Sequence, residues 1–225
     1  MLKKLNYLVA SLLPSKIYWY WAGLIHPWQA VLEDASMPEE VYNRGVEFVA
    51  ILTTLKLINK NSRLLDIGCG VGRMEYALCR KVQSCTGVDI SASMVRLAKR
   101  YVNQNNVCFA VTNGKDLKVF KNNNFNLVIS ILVFQHVPRK IFTNYLKESF
   151  RVLDYKGKLF FQIPTDESGV QKDPAKNHPW ALRYYQTEKL QKTLGKIGFK
   201  RINFFNTKGL KFKKQDNQAL VLAVK

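Results

Sequence analysis

Two acids and three glycines stand at spacings that suit the grip of a nucleoside. Arg63-Leu64-Leu65-Asp66-Ile67 is a short apolar run ending near an acid, and Gly68-Cys69-Gly70-Val71-Gly72 follows with glycine at every second position. This order reads as a buried parallel strand, a tight loop and a helix N-terminus, where backbone must come close to a ligand. One strand further on, Cys85-Thr86-Gly87-Val88-Asp89-Ile90-Ser91 carries a second acid, Asp89, about twenty residues after the glycines. A carboxylate at that offset accepts hydrogen bonds from a ribose diol. The pair of motifs specifies an adenosine-containing cofactor.

The spacing also excludes cofactors. Dinucleotide sites use G-x-G-x-x-G, whereas Gly68, Gly70 and Gly72 give G-x-G-x-G, which disfavours NAD and FAD. The G-x-x-x-x-G-K-[ST] loop of common ATP and GTP sites does not occur. The three histidines, His26, His136 and His178, are too scattered to suggest a metal site. Cys69, Cys79, Cys85 and Cys108 form no C-x-x-C. Three of them fall on or beside elements expected to be buried, so reduced thiols in a cytoplasmic protein are expected.

The elements that must position these residues alternate between strand and helix. Ser36-Met37-Pro38-Glu39 reads as a capping box, followed by a helix with Val41, Gly45, Phe48, Val49, Leu52 and Leu55 on one face. The glycine loop opens a second helix, about 73–82, burying Met74, Ala77, Leu78 and Val82. Ser91 caps a third, Val107 to Val111 is a strand, and Thr112-Asn113-Gly114-Lys115 is its loop. Phe125 to Ile131 reads as a strand buried on both faces. Pro138 opens the next helix, and the turn Asp154-Tyr155-Lys156-Gly157 leads to a strand from Lys158 to Ile163. Residues 164–185 show no period and are read as a loop or small insertion. Thr187 caps a helix stopping near Gly198, and Phe199 to Asn206 and Ala219 to Val224 are two closing strands. The expectation is an α/β fold, a doubly wound, mostly parallel seven-stranded sheet with a helical N-terminal extension.

Residues 1–35 form that extension, and 36–225 the cofactor-binding domain. Leu5 to Leu13 and Ile17 to Ile25 are apolar and aromatic, but neither half approaches the length of a bilayer span. Met1-Leu2-Lys3-Lys4 with the first run mimics a signal sequence, without a small-x-small cleavage site. Two readings fit: a lid that packs its aromatics over the site, and an interfacial segment with Trp and Tyr at headgroup level. The lid is favoured because cavities for small substrates are lined by aromatics.

In its motifs the chain resembles the class I S-adenosylmethionine-dependent methyltransferases. Leu64 to Arg73 is similar to their glycine motif and Gly87 to Ser91 to their ribose-binding strand end. Ser130-Ile131-Leu132-Val133-Phe134-Gln135-His136-Val137 is similar to the segment after strand four, and Phe150 to Gly157 to the turn before strand five. The resemblance covers roughly residues 45–165. It implies S-adenosylmethionine as cofactor, with Gly68 and Gly70 facing its methionine part and Asp66 orienting the loop and the amino group. It further implies Asp89 on the ribose hydroxyls, Ile90 on the adenine face, and Asn113 and Gly114 at the adenine edge. Asn113 stands where the family often has Asp, and its amide oxygen still accepts. Asn126 replaces a usual Asp at a strand start away from the ligand end.

Methyl transfer to a hydroxyl requires loss of a proton, and His136 is placed to take it. A ring that merely holds the loop through a backbone hydrogen bond fits His136 equally. Gln135 either touches cofactor or substrate or caps the next helix. His26-Pro27-Trp28 and His178-Pro179-Trp180 share a tripeptide, read first as coincidence, with a place lining a substrate cavity as the alternative.

Charge bears on the acceptor. The chain has 35 Lys and Arg against 16 Asp and Glu, a net charge of +19. Such a field attracts nucleic acid, anionic membrane or phosphorylated substrates. Eleven basic residues lie between Arg183 and Lys225 against Glu188 and Asp216. The segment Phe134 to Val137 lacks the Asn/Asp-Pro-Pro-Tyr/Phe pattern of enzymes that methylate base amines. The expected acceptor is thus a small-molecule, sugar or lipid-linked hydroxyl, with peripheral contact to anionic membrane left open. The alternatives are an RNA methyltransferase and a non-catalytic cofactor-binding scaffold.

Overall fold

The computed structural model describes residues 9–10, 12–168, 178–213 and 215–225. The readings that involve Lys3, Lys4, Pro174 and Lys214 lie outside the described residues.

Seven strands form one sheet: β1 (Arg63–Ile67), β2 (Ser84–Asp89), β3 (Val107–Val111), β4 (Phe125–Ser130), β5 (Leu153–Pro164), β6 (Lys200–Phe205) and β7 (Gln218–Val224). Their order is β3-β2-β1-β4-β5-β7-β6. The first five pair in parallel, and β7 runs antiparallel between β5 and β6. This is the mostly parallel, doubly wound sheet expected. Strand order reverses between β1 and β4, and in such sheets ligands bind outside the strand carboxyl ends at that point.

Period-two alternation explains why these strands read as near-continuous apolar runs. Leu64, Leu127, Ile129 and Phe160 join one buried cluster, and Leu65, Val128 and Phe161 join another. The first cluster is closed by Val49, Leu52, Met74 and Leu78, which come from α3 (Pro38–Thr54) and α4 (Arg73–Leu78). The second is closed by Phe142, Tyr145 and Leu146 of α6 (Arg139–Val152) and by Leu190 and Leu194 of α7 (Thr187–Ile197). Both faces are covered, so the strand ends are what remain for function.

Residues 1–35 supply α1 (Ser15–Ile25) and α2 (Pro27–Val31). The first packs on α5 (Ala92–Tyr101), burying Tyr18, Ala22 and Gly23. That contact is close because Gly23 has no side chain: a Cβ there would meet Ser93 Oγ at 2.3 Å.

Several boundaries differ from the sequence reading. The acid that closes the cap of α3 is Glu40, whose Oε2 accepts from Ser36 N–H at 2.6 Å and Met37 N–H at 3.1 Å. Helix α4 stops at Leu78, before Val82. Strand β5 begins at Leu153, not Lys158, because Leu153 pairs with Phe125 before the ladder resumes at Lys158 with Leu127. Asp154–Gly157 is thus a bulge within the strand, with Lys156 at φ 62°. Thr187 opens α7 as its first residue and Gln186 is the cap; the Thr187 N–H donates to Glu167 Oε1 at 3.0 Å. Ser91 caps α5 and Gly198 ends α7 as expected. Cys69 and Cys85 are buried, Cys79 is partly so, and Cys108 is exposed on the edge strand β3; all four are free.

Candidate functional site

The glycine loop is strapped to the end of β2. Gly68 N–H and Cys69 N–H both donate to the Val88 carbonyl, at 2.7 and 3.0 Å. The loop takes left-handed backbone, with φ of 81°, 54° and 81° at Gly68, Gly70 and Gly72, which side chains resist. From α3, the Tyr42 hydroxyl donates to the Val71 carbonyl at 3.1 Å and fixes the far side. A loop so tied presents its amides in one arrangement.

Asp89 joins this loop directly. Its Oδ2 accepts the Gly70 N–H at 3.0 Å and its Oδ1 the Ser91 N–H at 2.8 Å. Burial raises its pKa, against which the Ser91, Gly70 and Ile90 amides pull down. A carboxylate has about four acceptor positions, so these amides leave acceptor capacity for a hydroxyl. Next to it Ile90 and Gly114 meet: a Cβ on Gly114 would lie 2.5 Å from Ile90 Cδ1. Asn113 is exposed, and its Oδ1 accepts from Lys115 N–H at 2.8 Å and Asp116 N–H at 3.1 Å. That amide oxygen is already committed to its own turn.

Asp66 lies beneath the loop, buried on β1 beside Gly87. Burial pushes its carboxyl up to about 7, opposed by Arg73 and reinforced by Asp89. Its neighbouring acid is Glu75, a residue that the sequence reading passed over. Glu75 is completely buried on the first turn of α4, and burial followed by the Asp66 charge raises its pKa well above the usual range. Burial therefore favours a protonated pair, with Glu75 the group raised further. Helical spacing signals this position, because residue 75 lies three before Leu78, on the stripe that faces the sheet.

Beyond β4 the chain turns sharply, with Leu132 at φ 65°. A non-glycine residue held there stores about 1 kcal/mol or more of strain. Val133 then sits over Gly68, with a Cβ on that glycine falling 2.3 Å from Val133 Cγ2, and Phe134 is driven into the core. Gln135 and His136 follow, with Gln135 Nε2 and His136 Nε2 3.0 Å apart. With the amide in this orientation Gln135 donates to Nε2, which puts the ring proton on Nδ1. Nδ1 faces the Ala181 carbonyl without the alignment of a full hydrogen bond. Burial pushes His136 down to about 4, aided by the Arg183 cation, so the ring is neutral at physiological pH.

Three more residues, none of which was expected beside His136, complete this corner. Trp19 of α1 and Trp180 lie edge-on to the His136 ring, 6.3 and 6.0 Å between centroids. Arg183 is buried, donating to the His136 carbonyl at 2.9 Å. Its burial removes it from the basic C-terminal face to which it was assigned. The two His-Pro-Trp tripeptides part company: Trp180 reaches His136, whereas Trp28 packs on Tyr42 and Tyr101. The extension caps the assembly. Ser91 Oγ donates to Trp19 O at 2.9 Å, Ser93 Oγ to Tyr20 O at 2.6 Å, and Val31 lies 3.1 Å from a Cβ on Gly70.

Comparison with known proteins bears on this geometry. Residues 65–161 match the model of a family described as a methyltransferase domain. The ubiquinone biosynthesis O-methyltransferase of Pelagibacter ubique is 32% identical over 103 residues, 45% of this chain and 41% of that protein. The malonyl-(acyl-carrier protein) O-methyltransferase of Priestia megaterium is 30% identical over 105 residues, 46% of this chain and 37% of that one. The chain thus spans about two fifths of the length of these curated relatives. Among solved structures, an S-adenosylmethionine-dependent methyltransferase from Mesorhizobium loti superposes with a TM-score of 0.63 at 15% identity, covering 80% of this chain and 98% of that one. Phosphoethanolamine N-methyltransferase 2 of Haemonchus contortus, in complex with S-adenosyl-L-methionine, gives 0.62 at 20% identity, covering 81% and 52%. At those identities the two structures speak to the fold. Residues 65–161 thus match a methyltransferase domain, and the chain shares the fold of S-adenosylmethionine-dependent methyltransferases.

Proposed function

We propose that the chain transfers the methyl group of S-adenosylmethionine to an oxygen of a small-molecule, sugar or lipid-linked acceptor. The observation that carries the cofactor half is the Asp89–Gly70 hydrogen bond, which sets a carboxylate with spare acceptor positions against a positive-φ glycine loop. The residues fit the group. Asp89 takes the ribose hydroxyls, the Gly68 and Gly70 backbone the methionine end, Ile90 the adenine face, and Asn113 and Gly114 the adenine edge. With its oxygen committed, Asn113 contributes there through its amide group or backbone. Asp66 acts from below, through the loop.

When bound, S-adenosylmethionine supplies an activated methyl on a sulfonium. The protein supplies orientation, a dry pocket and a place for the proton. A neutral His136 takes the acceptor's hydroxyl proton once Gln135 swings from its lone pair. Because burial makes the ring a weak base, proton transfer to the ring is concerted with methyl loss from the donor, and the imidazolium gives its proton to water when the lid lifts. Oxygen as the accepting atom is supported by the names of both relatives. Residues 1–35 act as the lid: Trp19 walls His136 and Val31 covers Gly70, so the segment must lift for ligands to enter.

The test is labelled-methyl turnover from S-adenosylmethionine against lipid, glycan and RNA extracts. Label is expected in a hydroxyl-bearing small or amphiphilic product. Label at a defined RNA position would move the assignment to RNA, a reading weakened by the burial of Arg183. Cofactor binding without any turnover would leave a scaffold.

A further inference from the structure

The outer face of α1 is apolar where a solvated helix would be charged. Ile17, Tyr20 and Leu24 follow at i, i+3 and i+7, joined by Ile25 and, just before the helix, Leu12. Their exposure runs from 40% for Tyr20 to 72% for Leu12. Scattered exposed apolar residues are ordinary, but five on one short segment form a patch of the kind that marks an interaction site. The opposite face is already used, since Tyr18, Ala22 and Gly23 are buried against α5. The outward stripe therefore lies away from the helix's own packing contact with α5.

We propose that this face docks the protein on an anionic lipid bilayer, with α1 lying in the plane of the interface. Charge decides among the possible occupants. Lys16 is exposed at the start of the stripe, and α5, on which α1 rests, exposes Arg96, Lys99 and Arg100. The chain as a whole carries +19. A second copy would bring two strongly positive bodies together, whereas an anionic headgroup layer neutralises the charge and accepts the apolar stripe beneath it. Among the described residues no helix is long and apolar enough to cross a membrane, so the contact lies on the surface. Tyr20 suits headgroup depth, with an apolar ring and a polar edge.

The inner side of the same helix carries Trp19 against His136 and Tyr18 against Trp180. One helix thus separates lipid from the acceptor corner. Lifting it at the bilayer would open the corner toward the headgroup layer, so that an amphiphilic acceptor reaches it without crossing water. This last step rests on the proposed methyl-transfer reading; docking itself does not.

Co-sedimentation of the full chain with phosphatidylcholine vesicles, with and without phosphatidylglycerol, tests the docking. Binding should require the anionic lipid and weaken as salt rises. Ile17→Ser with Leu24→Ser should lower vesicle affinity about tenfold or more, with calorimetric S-adenosylmethionine affinity unchanged as proof of folding. Failure to bind anionic vesicles or equal binding by the double variant would overturn the proposal. So would a concentration-dependent dimer abolished by the same substitutions, which would make the occupant a second copy. Loss of cofactor binding in the unmodified chain would refute the methyl-transfer reading alone.

Discussion

Glu75 Oε1 lies 2.5 Å from the point that a Cβ on Gly87 would occupy. The absence of a side chain on β2 thus makes room for a buried carboxyl of α4, next to Asp66 on the neighbouring strand. The same hypothetical Cβ would meet Phe109 Cδ1 at 2.8 Å and Cys69 Cβ at 2.9 Å. All three neighbours are buried, so none yields easily. Gly87→Ala should destabilise the protein by about 1–3 kcal/mol through overpacking, measured by denaturant titration.

The acid pair gives a pH dependence whose sign is fixed by its direction of shift. Unfolded, Asp66 ionises in the ordinary carboxylate range; folded, burial lifts it to about 7, and Glu75 is raised as well. Folding favours the protonated pair. Its stabilising contribution is complete in acid, below the ordinary range, and is lost as pH rises through about 7. Glu75→Gln removes the second ionisable group. Its Tm relative to the parent should improve steadily from acidic to mildly alkaline pH. A difference independent of pH would show that burial does not hold the pair protonated.

Asp89→Ala should weaken S-adenosylmethionine binding by roughly 1.5–3 kcal/mol, the loss of charge-assisted hydrogen bonds to the ribose. Asp89 also holds the Gly70 N–H, so part of that loss reflects a freed loop. Asp89→Asn, which keeps an acceptor for that amide, separates the two contributions. Calorimetry of both variants checks this, and unchanged affinity in the alanine variant would remove Asp89 from the site.

His136→Ala should lower turnover by about 10²–10⁴-fold with cofactor affinity nearly intact. A base must be unprotonated, so activity falls as pH drops through the pKa of the ring. With His136 depressed to about 4, the acid limb should lie below that of an ordinary imidazole. Retention of most turnover by the variant would return His136 to holding the loop.

Gly23→Ala tests the lid with a single methyl group. A Cβ at that position collides with Ser93 Oγ and comes within 3.1 Å of Met94 N, so α1 must shift off α5. Turnover of a small acceptor should fall, while binding of S-adenosylmethionine persists, because the glycine loop and Asp89 are held by β2 and Tyr42. A variant with full turnover would mean that α1 has no role in closing the site.

Local chemistry made much of this protein legible before any coordinates. The strand β1, its glycine loop and Asp89 follow from apolar runs, positive-φ glycines and a fixed offset, all set within a few dozen residues. The stop at Gly198 and the cap at Ser91 are likewise short-range. Where a boundary depended on a distant partner, the sequence was silent. Strand β5 starts at Leu153 because Phe125 offers it hydrogen bonds. Arg183 reads as one more surface cation until the fold brings it to the His136 carbonyl, 47 residues away. Tyr18 and Trp180, 162 residues apart, join the extension to an aperiodic segment by a hydrogen bond that no periodicity encodes. Glu75 looks like a solvated helix residue until Gly87 and Asp66 close over it. The sequence by itself determined the glycine loop and the Asp89 strand end, because backbone geometry and short-range spacing define them; the corner around His136 was decided only by tertiary packing, because each of its walls comes from a different part of the chain.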